Sequence, residues 1–146
     1  MPGAALTANL RAMTSSRSPI VLVLAGLLAL NVFGFGVALA TGIVDPVAGF
    51  LNGSKTHAPL VIWGAQTLGV WLLLTRGSRA GGGFALLACT VSLTALALDG
   101  DLASEGLGAG HIAIQCAIGA LTAALWALLA VRLWHARPVA LAERAG

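Results

Sequence analysis

Four stretches of this chain contain no aspartate, glutamate, lysine or arginine: residues 18–44, 56–75, 80–98 and 106–131. Crossing a bilayer core takes about 20 helical residues, so each stretch is of spanning size. Soluble domains carry about 25% charged residues, whereas this chain has 9%, with 58% hydrophobic. A water-facing surface cannot be built from that composition. The expected fold class is all-α, an integral membrane bundle of four transmembrane helices at about 20–44, 59–75, 82–98 and 109–134. These form one domain over 19–135, between polar tails at 1–18 and 136–146.

Charge placement predicts how such a bundle sits. Arg11 and Arg17 precede the first run, Arg76 and Arg79 join the second to the third, and Arg132, Arg137 and Arg144 follow the fourth. The other two connections hold Lys55 against Asp45, Asp99, Asp101 and Glu105. Lysine and arginine favour the cytoplasmic side, so both termini are expected to be cytoplasmic, in a cell (plasma) membrane, with both long loops outside. The net charge of +3 is scattered singly at run ends, which argues against nucleic acid as a partner. Seven arginines against one lysine, with abundant Ala, Leu and Gly, hint at a GC-rich bacterial genome.

The first run has a competing interpretation as a secretory leader, since Ala38-Leu39-Ala40 matches a small-residue cleavage pattern. Leader cores span about 7–15 residues, and this run is longer, so a retained helix is expected. Residues 45–59 (DPVAGFLNGSKTHAP) are punctuated by Pro and Gly as a loop, with Val47–Leu51 apolar enough to lie along the interface. Gly81-Gly82-Gly83 is expected in the turn or a frayed first helical turn, because glycine inside a helix costs roughly 1 kcal/mol relative to Ala.

Helical periodicity sorts the polar residues into stripes. Asn31, Gly34, Ala38, Thr41 and Asp45 share one face of the first run. Cys89, Ser92, Leu96 and Asp99 share one of the third, and His111, Gln115, Thr122 and Trp126 one of the fourth. If these faces converge, they make an outward-opening polar crevice. Its candidate ligand-binding residues are Asn31, His57, Gln66, Asp99, His111 and Gln115. The structural alternative is that the mid-helix amides are packing glue, hydrogen-bonding across helices. Small residues at four-residue spacing, among them Gly34/Ala38, Ala65/Gly69 and Ala109/Ala113/Ala117, suit close helix packing in lipid.

Three functional classes follow. The first is a binding or accessory membrane subunit that holds a hydrophobic small molecule or a membrane-protein partner. The second is a membrane enzyme with His111 and Asp99 or Glu105 as an acid–base pair, since histidine titrates near neutral pH. The third, a small transporter, ranks last. No ionisable group sits in the middle of any run, where proton coupling would require one, and no internal repeat is evident. A pore would need a homo-oligomer. No standard metal motif is present, so no metal site is expected. Cys89 and Cys116 differ in expected depth, which argues against a disulfide. The residues select no cofactor.

Overall fold

The computed structural model describes residues 19–42, 45–54, 56–98 and 108–135. Among these are five helices and no strand: α1 (Pro19–Ala40), α2 (Pro46–Asn52), α3 (Leu60–Arg76), α4 (Arg79–Leu98) and α5 (Ala109–His135). Three of them, α1, α4 and α5, are long and apolar enough to cross a membrane; α3 is apolar but has 17 residues. The tails at 1–18 and 136–146, and Asp99, Asp101 and Glu105 between α4 and α5, lie outside the described residues.

Polarity is inverted relative to a soluble protein. Val32, Phe33, Leu68, Phe84, Leu87, Val91 and Val131 are exposed, while Asn31, Gln66, Ser92, Gln115 and Thr122 are buried. Continuous apolar surface of this kind marks contact with a membrane or a partner. The inner core joins Leu24 and Leu27 of α1 to Val70 and Leu73 of α3, Ala85 and Cys89 of α4, and Ile118, Leu125 and Leu129 of α5.

The helices pack in the order α3–α4–α5–α1, and α1 approaches α3 only sparsely. The α3–α4 contact is set by glycine. Gly77 takes a left-handed conformation (φ 63°) to end α3, and the Ser78 hydroxyl accepts from Gly81 N–H at 3.1 Å to start α4. A Cβ on Gly69 would lie 2.6 Å from the Gly81 carbonyl oxygen, and one on Gly81 would lie 2.6 Å from Leu72 Cβ. Gly81 and Gly82 therefore sit in a capped, buried helical turn rather than a frayed one. The propensity cost is offset by an approach of backbones that no other residue permits.

The far end of α1 differs from the sequence expectation. The helix stops at Ala40, where Thr41 and Gly42 (φ 69°) form a turn; residues 43–44 lie outside the described residues. Asp45 is consequently not on the α1 stripe. Its carboxylate caps α2, accepting from Val47 N–H and Ala48 N–H, both at 3.0 Å, with Pro46 suited to the first helical position. Val47 and Leu51 of α2 are exposed, and Gly49 is buried.

A candidate ligand cavity beneath a re-entrant segment

Between α2 and α3 the chain does not stay on the surface. Residues 53–54 and 56–58 descend into the gap that α1 and α3 leave open. A Cβ on Gly34 would fall on the Thr56 carbonyl, so the segment's backbone lies directly against α1 at a point only glycine allows. Gly34 is about 9 Å below the end of α1 at 1.5 Å per residue. Irregular backbone at such depth is stable only where protein satisfies its polar groups.

Side chains do so here. Asn31 donates from Nδ2 to the Leu27 carbonyl at 2.9 Å and accepts at Oδ1 from Ala58 N–H at 2.8 Å. Thr56 Oγ1 donates to the Gly34 carbonyl at 3.0 Å. His57, 3% exposed, completes the set. Its Nε2 lies 2.9 Å from the Gly49 carbonyl, which can only accept, so Nε2 carries the proton. Nδ1 lies 2.7 Å from the Ser54 hydroxyl, which can donate or accept. Ser54 Oγ in turn accepts from Thr56 N–H at 3.2 Å. Both ring nitrogens are used, and the Ser54 hydroxyl also lies 3.2 Å from Thr56 Oγ1. Phe35 and Trp63 lie edge-on to the imidazole at centroid distances of 5.0 and 6.3 Å, and Phe50 packs against both of those rings.

On the other side of the segment lies a cavity of about 580 Å³. Its walls are Ser54, His57 and Pro59 of the segment, Val61 and Ile62 of α3, Ser92 and Leu96 of α4, and Gln115 and Ile118 of α5, with others. Among the described residues lining it none carries a formal charge. Gln115 is 5% exposed, and its buried Oε1 has no hydrogen-bond partner. Ser92, also buried, makes no hydrogen bond among the described residues. The volume lies within the range of about 300–1,000 Å³ usual for small-molecule pockets, which are mostly apolar with a few placed polar groups.

The sequence-derived candidates are thus dispersed. His57 and Gln115 line the cavity, His57 with its nitrogens already engaged. Asn31 is buried and bound to the segment behind it. Gln66 points into the core, its Nε2 3.6 Å from Cys89 Sγ. His111 begins α5, partly buried, with Nε2 buried and unpartnered, and does not line the cavity. Asp99 and Glu105 lie outside the described residues, so the proposed acid–base pair has no described geometry. Cys89 is buried and Cys116 exposed, both free. No three His, Cys, Asp or Glu side chains gather among the described residues.

Ser54, Thr56 and Gly34 were not singled out as site residues by sequence. Their signal is faint: a glycine in an apolar helix and two hydroxyls beside a histidine are common in loops and helices alike. Ser92 was visible on the α4 stripe, but nothing distinguished it from packing glue. Comparison of the chain with protein-family models, with curated proteins and with solved structures finds no match to any of them.

Proposed function

We propose that this chain is a multi-pass plasma-membrane protein that binds an apolar small molecule in the cavity between the re-entrant segment and α3, α4 and α5, as a binding or accessory subunit. One observation carries the proposal: the Gln115 carbonyl is buried and unpartnered beside a cavity of ligand size whose described lining carries no formal charge. A buried acceptor left without a donor costs about 1–3 kcal/mol, and a ligand donor would recover that cost.

In this reading four segments cross the membrane and both termini are cytoplasmic. Arg76 and Arg79 between α3 and α4, and Arg132 at the end of α5, support that orientation. A helix of 17 residues rises about 26 Å, short of a core of about 30 Å. Residues 53–59 supply the missing depth, so α3 needs no further turn to complete a crossing. The cavity then opens toward the outer half of the bilayer.

Native mass spectrometry of gently solubilised protein tests the binding, with wild type beside Gln115→Leu and His111→Ala. Wild type and His111→Ala are expected to carry the same small molecule, and Gln115→Leu to have lost it. A bare mass in all three would set the reading aside in favour of a partner protein. Cysteines placed at Ala48 and Ser78 test orientation: an impermeant reagent should label the first from outside and the second only after lysis.

A further inference from the structure

Three features of the cavity together select a chemical class of ligand. The first is hydrogen-bonding complementarity. Gln115 Oε1 is an acceptor that needs a donor, and the Ser92 hydroxyl, buried on the neighbouring helix and lining the same space, has its proton uncommitted among the described residues. A single hydroxyl group satisfies both, since it donates one hydrogen bond and accepts others. An ether or ester oxygen only accepts, so it can answer the Ser92 hydroxyl or the Gln115 amide N–H but leaves Oε1 unpartnered.

The second is charge. No formal charge is present among the described lining residues, and burying an unpaired ion is far more costly than burying a hydrogen-bonded neutral group. By sequence Lys55 adjoins the cavity-lining Ser54, and Asp99, Asp101 and Glu105 follow α4; all four lie outside the described residues.

The third is a route for hydrocarbon. A second hollow of about 330 Å³ lies along α4, lined by Thr90, Val91, Thr94, Ala95 and Leu98. It shares Val91 and Ala95 with the cavity wall, and Val91 and Leu98 are exposed at 50% and 84%. The cavity is therefore adjoined by an apolar furrow on the lipid-facing side of the bundle. A chain seated in the cavity can continue along that furrow into the bilayer.

Taking the cavity as a binding site, we propose that its ligand is an uncharged, single-chain lipid alcohol. The hydroxyl donates to Gln115 Oε1 and accepts from Ser92, and the hydrocarbon leaves past Val91 and Ala95. The test uses full-length protein in nanodiscs and four probes with the same chain: hexadecanol, hexadecyl methyl ether, hexadecyl phosphate and hexadecyltrimethylammonium. Hexadecanol is expected to bind at least about tenfold more tightly than the ether, the loss of one hydrogen bond in a dry site, and both charged probes more weakly still. Gln115→Leu is expected to erase the preference of alcohol over ether while leaving helix content unchanged. Should that variant fail to fold, Ser92→Ala serves instead and is expected to narrow the preference several-fold. Equal binding of alcohol and ether, preference for either charged probe, or an unaltered preference in the folded variants would overturn the hydroxyl assignment and leave the cavity a binding site. Binding of none of the four, with no small molecule on the purified protein, would overturn both.

Discussion

The two sides of the segment at 53–58 meet neighbours of opposite character. Toward α1 and α2 the segment's own side chains and the Ala58 amide are matched: Ala58 N–H to Asn31, the Thr56 hydroxyl to the Gly34 carbonyl, and the His57 ring to Gly49 and Ser54, although Trp63 Nε1 beside that ring is buried without a partner among the described residues. Across the cavity, α5 presents Gln115 Oε1 without a partner, and α4 places the Ser92 hydroxyl in the same wall. Buried polar groups are overwhelmingly hydrogen-bonded in native proteins, so the saturated side explains itself as architecture. Among the described residues three buried side-chain atoms lack a partner, Trp63 Nε1, His111 Nε2 and Gln115 Oε1, and of these residues Gln115 alone lines the cavity, where a ligand could answer it. The contrast separates two uses of polar residues that look identical in sequence.

The largest effect should come from driving the segment off α1. Gly34→Leu puts a side chain where the Thr56 carbonyl sits, and neither backbone can yield without losing its hydrogen bonds. A loss of about 4 kcal/mol, or failure to fold, is expected from overpacking combined with orphaned polar groups. Gly36→Ala is the matched control, since a Cβ there meets nothing within 4 Å. Thermal unfolding in nanodiscs reads both, and similar midpoints for the two variants would refute the docking. Next is His57→Ala. It removes one of two donors to the Gly49 carbonyl, which keeps Gly53 N–H at 2.8 Å, frees Ser54 and opens a void between Phe35 and Trp63, for about 3 kcal/mol. If His57 were chiefly a ligand contact, that variant would lose binding while keeping its stability.

Little of this segment was legible beforehand, for a physical reason. Long apolar runs announce helices by composition, and helical periodicity turns Asn31, Gln66, Gln115 and Thr122 inward, where they are found. The segment works by matching side chains to backbone groups, and backbone groups leave no trace in residue identity. Ala58 contributes its amide and Gly34 its carbonyl and its missing Cβ. The Pro- and Gly-punctuated stretch around them reads as an ordinary surface loop. Glycine misled in the same way at Gly81 and Gly82, where a residue that weakens an isolated helix permits a close contact between two. The acidic residues expected at the crevice rim, Asp99 and Glu105, lie outside the described residues.

A smaller effect is expected on the same saturated side. Asn31→Leu removes the acceptor for Ala58 N–H but retains volume and helix propensity. Membrane-protein hydrogen bonds average well under 1 kcal/mol, with a ceiling near 2, and an orphaned amide adds to the loss. Destabilisation of about 1–2 kcal/mol is expected, measured by the same unfolding assay. A stability unchanged from wild type would mean that the segment is held by packing alone and that its polar matching is incidental.

On the unsaturated side the sign should reverse. Gln115→Leu replaces an amide whose Oε1 is buried without a partner by an apolar group of similar size. Removing an unpaired buried polar group relieves its desolvation penalty, so the empty variant is expected to equal wild type or exceed it by about 1 kcal/mol. Ligand then inverts the order. A molecule that binds only the folded state adds about 2.7 kcal/mol at a free concentration a hundredfold above Kd. Wild type should gain that increment with hexadecanol, whereas the variant, at least about tenfold weaker in binding, should gain about half of it at the same concentration. The pair of unfolding curves, with and without alcohol, therefore crosses in rank. A variant less stable than wild type in the empty state would show that Gln115 is already satisfied within the protein. The two sides of the segment would then no longer differ in kind, and the cavity would lose its strongest claim to an occupant.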